Sequence, residues 1–194
     1  MTLLDAQATT DEKPIRLRLR AATASLHERV DTYMGGLLRQ TDRGYEQFLT
    51  ATAHAVLPLE RALCEAGVSE LVHDWPRRCR SDALREDLAA LSIAEPDTHP
   101  IQEGPRLRDE AFMLGALYVL EGSRLGARVL LGMLGTTHSH ALCYLSHGHG
   151  LPLWQTFLAQ LGASSAVRRN PERAEAGASA AFRLFLPKCR LQIG

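Results

Sequence analysis

Aromatic residues make up only 6% of the 194-residue chain, and neither a period-two apolar alternation nor an Asn-Gly hairpin turn occurs in it. Sheets draw on aromatic and β-branched residues in alternating runs, so the expectation is a fold without strands. An excess of charge of one sign is also missing: Lys plus Arg and Asp plus Glu each number 22, for a formal net charge of zero. A chain without that excess is not a general polyanion binder, and any anionic ligand must be met by a few placed cations. The cysteines, Cys64, Cys79, Cys143 and Cys189, stand far apart with no CxxC pair. That argues against a zinc ribbon and a disulfide framework, and suits a reducing compartment. No apolar run approaches the roughly 20 residues of a membrane span. The polar residues from Met1 to Glu12 lack the apolar core of a signal peptide. A cytoplasmic protein with no membrane or nucleic-acid partner is expected.

What the chain has is helical periodicity. Residues 1–13 read as a flexible tail and 14–190 as one domain. Pro14 suits the first turn of a helix carrying Leu17, Ala21, Ala24 and Val30, which Gly35-Gly36 is expected to end. A second helix should start at a Thr41 or Asp42 cap, bend at Pro58 and stop at Gly67. A shorter one follows Ser81 or Asp82. Residues 95–105, with three prolines and a glycine, read as a connecting loop. The longest pattern, 107–134, is punctuated by four glycines. Leu151–Leu161 reads as a helix, and Pro171 opens a last one that Pro187 ends. The sum is an all-α, single-domain bundle of about seven helices.

Two constellations carry chemistry. Arg20 and His27 are seven residues apart, nearly two helical turns, so they share a face about 10.5 Å apart along the axis. Ala21, Thr23 and Ala24 between them are small and leave room for a flat ligand. A neutral imidazole can ligate iron, and a guanidinium two turns away can meet a carboxylate. The plain alternative is an unrelated histidine beside a solvated arginine. The second constellation is Tyr118-Val-Leu-Glu-Gly122-Ser123-Arg-Leu-Gly126. Gly122 and Gly126, four apart, stack on one helix face. Each interior glycine costs roughly 0.5–1 kcal/mol against alanine, so the pair needs a reason. Either a second helix packs on the bare backbone, or a ligand approaches it.

Together the two segments, in this order and separation, resemble the proximal and distal helices of heme oxygenases, over about 15–185. The likeness is strongest to the short bacterial branch that includes the enzymes accompanying bacteriophytochromes. The resemblance implies a heme-oxygenase-like bundle with heme, both substrate and cofactor, between a proximal and a kinked distal helix. It implies His27 as iron ligand, and Gly122 and Gly126 over the open face where dioxygen binds. Ser123 would sit where animal enzymes carry an aspartate and would hold part of a water network. Arg20, with Tyr118 beside it, would meet the propionates. One departure is Ala127, where many members have a further glycine. The implied reaction cleaves heme to biliverdin, carbon monoxide and ferrous iron with O2. Electrons would come from a ferredoxin or a reductase, since the chain has no dinucleotide fingerprint. A biliverdin-accepting phytochrome is an implied partner.

Other readings stand beside this one. A non-catalytic heme carrier or sensor would keep His27. The loop with His138, His140, His147 and His149 could bind a metal, although exposed loop is the plainer account. Glu70-Leu-Val-His73 is the lone candidate for di-iron chemistry. Glu121 is expected to be exposed or paired with an arginine. The Arg77-Arg78-Cys79-Arg80 run reads as a solvated turn.

Overall fold

The computed structural model describes residues 14–40, 43–134 and 141–187, and among these every regular element is helical. The expected tail, the Thr41 or Asp42 cap, Cys189, His138 and His140 lie outside the described residues. Helix α1 spans Ile15–Gln40 and α2 spans Gly44–Glu65. Short turns follow as α3 (Val68–Leu71) and α4 (Trp75–Arg78), then α5 (Ser81–Ala90). Beyond the expected loop and a 3-10 turn at Gly104–Arg108 comes α6 (Glu110–Leu134). The rest is α7 (Cys143–Ser146), α8 (Leu153–Ala163), α9 (Ser165–Arg169) and α10 (Pro171–Leu184).

Most boundaries follow local chemistry. Gly67 ends α2 in the left-handed region, at φ 83°, where a side chain would be strained. Pro171 sits at the first position of α10, where a missing N–H costs nothing. One expectation needs correction. Gly35-Gly36 does not stop α1, which continues to Gln40 over a half-buried surface that includes the buried Met34. Packing of that face outweighs the propensity cost of two glycines. Pro58 lies inside an unbroken, largely buried α2.

One apolar core joins the long helices. Leu49, Val56 and Leu63 of α2, Leu114 and Leu117 of α6, Phe157 of α8 and Ala174 and Ala178 of α10 are all nearly inaccessible. Helix α10 is the common support: both α6 and α1 pack along it. Arg18 pairs with Glu175 at 2.8 Å and His27 meets Phe182, so α1 and α10 run the same way. Gly115 abuts Ala174 and Phe112 abuts Gly177, so α6 runs against both. No helix among the described residues is long and apolar enough to cross a membrane.

Candidate functional site

Helix α1 turns Leu19 and Thr23 into the core, and the Thr23 hydroxyl donates back to the Leu19 carbonyl at 2.7 Å. The opposite surface carries Arg20, Ala21, Ala24 and His27, all exposed. His27 is 62% exposed yet held on two sides. Its Nδ1 lies 2.9 Å from Asp31 Oδ2, one turn on, and its ring stands edge-on to Phe182 at 5.5 Å. With Nδ1–H donating to Asp31, Nε2 of the neutral ring keeps the lone pair. That is how a metal-binding imidazole is usually oriented by a carboxylate.

Helix α6 runs unbroken through its glycines, and they divide by what faces them. A Cβ on Gly115 would overlap the Ala174 carbonyl, and one on Gly177 the Phe112 carbonyl, so these two let α6 and α10 interlock. Gly122 and Gly126 serve no such packing. A Cβ on Gly122 would meet only the rim of the Trp154 ring, at 3.7 Å, and one on Gly126 would meet nothing within 4 Å. At 100° per residue, Gly122, Gly126, Val129 and Met133 fall in one sector of about 60°. Val129 and Met133 are 64% and 71% exposed, which makes that sector an open apolar face. Ala127 points away from it and is buried, so the departure from the glycine pattern adds no methyl there.

The cations at the start of α1 act on this helix at Tyr118 through their charge. Burial pushes the Tyr118 phenol up from its ordinary value, and the charges of Arg16 and Arg20 pull it some of the way back. Tyr118 also leans on Trp154, ring centres 5.5 Å apart. The charge of Arg20 is thus felt at Tyr118, whereas the polar and ring contacts of His27 are with Asp31 and Phe182.

Sequence reading missed what lies behind α6. Arg78 and Arg80 are 3% and 1% exposed, not a solvated turn. Arg78 donates to Glu121 Oε2 at 2.8 Å, the Leu153 carbonyl at 2.9 Å and Thr156 Oγ1 at 2.8 Å, tying α4 to α6 and α8. Glu121, 1% exposed, also accepts from Arg124, so the paired alternative holds. Arg80 Nη2 donates to the Leu120 carbonyl at 2.8 Å and to Ser123 Oγ at 2.7 Å, and the Ser123 hydroxyl donates to the same carbonyl. Its guanidinium stacks on Tyr144, and the carboxylate of Glu60 clamps the backbone N–H groups of Arg80 and Ser81. The one available signal was Glu121 and Arg124, opposite charges three residues apart in a largely apolar helix.

Burial and the charge of Arg124 push His147 below its ordinary value, and its Nδ1 lies 3.3 Å from Arg124 Nη1. Among the described residues no group of three or more His, Cys, Asp or Glu could hold a metal ion, and that includes Glu70 and His73.

No protein-family model matches the chain. It is 35% identical over 148 residues to a heme oxygenase of Xanthomonas campestris pv. campestris, an alignment covering 73% of this chain and 86% of that protein. It is 29% identical over 182 residues to heme oxygenase PigA of Pseudomonas aeruginosa, covering 87% of each.

Proposed function

The chain belongs to the heme oxygenase family and is a heme-cleaving enzyme, and on that footing we propose that heme lies against both α1 and α6 with His27 as its iron ligand. The observation that carries the placement is the bare turn at Gly122 and Gly126. Two interior glycines that pack against no helix give up roughly 1–2 kcal/mol of helix stability together, and a ligand lying on the backbone is what offsets that cost. The residues present suit heme: a histidine with a free Nε2, an apolar face at Val129 and Met133, and cations at one end.

Bound heme supplies the iron that activates dioxygen and the porphyrin that is opened to biliverdin, carbon monoxide and ferrous iron. The chain's role is orientation and proton control. Asp31 takes the Nδ1 hydrogen of His27 and so directs Nε2 to the iron, while Phe182 fixes the plane of the ring. Gly122 and Gly126 would present bare backbone, and no acidic side chain, to a heme seated there, leaving room for dioxygen. The hydroxyl hydrogen of Ser123 is given to Leu120 and one lone pair takes the Arg80 hydrogen. The Tyr144 phenol is a further hydrogen-bond partner of this hydroxyl and shares with it the contact to any ordered water. Arg20 meets the propionates from α1, assisted by the Tyr118 hydroxyl. Electrons come from a ferredoxin or a reductase. The segment 118–126 favours the bacteriophytochrome-associated branch, with a biliverdin-accepting phytochrome as recipient.

Titration of the protein with hemin, then ascorbate or a ferredoxin system in air, tests this reading through the visible spectrum. A one-to-one Soret complex, lost or shifted in His27→Ala and decaying to a biliverdin band in the parent, is expected. A stable complex that never converts would assign a carrier or sensor instead, and an unaltered complex in His27→Ala would remove His27 from the iron.

A further inference from the structure

A half-open groove of about 360 Å3 lies where the start of α1 meets the end of α8, the α9 turn and the start of α10. Its floor is apolar, made by Ile15, Leu158, Leu161 and Val167, of which Leu161 and Val167 are buried. Its edge is cationic: Arg16, Arg18 and Arg168 line it and no carboxylate does. These arginines are not equally committed. Arg18 is neutralised by Glu175 at 2.8 Å. Arg168 donates to the carbonyls of Gly162 and Ala163, at 3.2 and 2.9 Å, and has no carboxylate partner among the described residues. Arg16 makes no ion pair among the described residues, and the charge it projects is felt by Tyr118.

An apolar floor with two uncompensated guanidinium groups at its edge matches one ligand chemistry. We propose that this groove is a second binding site, separate from the heme cleft, for a small organic anion with an apolar body, such as a medium-chain monocarboxylate. The chain of the ligand covers Leu158 and Val167, and its carboxylate takes hydrogen bonds from Arg16 and Arg168. The volume lies at the lower end of the range of ~300–1,000 Å3 in which ligand pockets fall, which suits a small acid better than a tetrapyrrole. The site does not depend on where heme lies.

Calorimetric titration of the full-length protein with octanoate and with uncharged octanamide tests it. One-to-one binding of octanoate is expected, with octanamide weaker by about tenfold, the equivalent of one charge-assisted contact. Gly162→Phe should abolish binding: a Cβ there meets nothing within 4 Å, so the ring can occupy the groove without displacing the core. That variant should keep the parent's thermal midpoint and hemin titration. Arg16→Gln should weaken octanoate part of the way towards the octanamide level, because Arg168 remains. Failure of octanoate to bind, equal affinity for the amide, or full binding to Gly162→Phe would each overturn the proposal. So would binding that emerges only when residues 1–12 are removed, which would give the groove to the chain's own N-terminal segment.

Discussion

Gly115 on α6 sits against Ala174 on α10 so closely that any β-carbon on it would overlap the Ala174 carbonyl. Eleven residues later on the same helix, Gly126 has nothing near it. One substitution therefore has opposite effects at the two places. Gly115→Ala must push apart a pair of packed backbones and should lower the denaturation midpoint, by about 1–3 kcal/mol as in other overpacked cores. Gly126→Ala should stabilise the ligand-free protein by about 0.5–1 kcal/mol and slow biliverdin formation. Urea unfolding together with single-turnover spectra checks both; stabilisation without any effect on turnover would take Gly126 out of the site.

The contact between His27 and Asp31 predicts a graded series. His27→Ala should remove the iron ligand and with it the normal complex. Asp31→Asn should weaken heme binding by roughly 10–100-fold, the usual effect of losing a carboxylate behind a ligating imidazole. The two substitutions should not add, because Asp31 acts through His27. Hemin titration of the single and double variants reads this directly.

Glu121 is the carboxylate shared by Arg78 and Arg124, and all three are buried. Glu121→Ala leaves two guanidinium groups without it in the interior and should cost about 3–5 kcal/mol in urea unfolding. Glu95→Gln, at the exposed pair with Arg85, should cost less than about 1 kcal/mol.

His147 predicts a pH dependence. Burial, then Arg124, lowers its pKa in the folded protein from 6.5, so the unfolded chain takes up the proton first. Its stabilising contribution is complete above about pH 6.5 and is lost as the pH falls through the folded-state value. Thermal midpoints between pH 7.5 and 5.5 should fall less steeply in His147→Gln than in the parent. Asp87 works in the opposite sense, because burial raises its pKa, so the difference between the two proteins is the quantity to read.

The long helices were legible because their apolar residues recur at the helical period, and Pro14, Pro171 and Gly67 mark ends by local geometry. The turns α3, α4, α7 and α9 have four or five residues each, too few to show any period. That Arg20 shares a face with His27, and Gly122 with Gly126, could be read from spacing, since a helix fixes which residues lie together. Arg78 and Arg80 could not. Their partners Glu121 and Ser123 are 43 residues away in sequence, and a local run of charge looks solvated until the fold supplies those partners.

The proposed walls of the heme cleft, α1 and α6, are seated on α10, one running with it and the other against it. The Gly177 notch that receives α6 and the Phe182 ring that steadies His27 are five residues apart on that one helix. A displacement of α10 along its own axis would therefore act on both seats together, so a substitution that shifts this helix should be felt at Gly115 and at His27 alike.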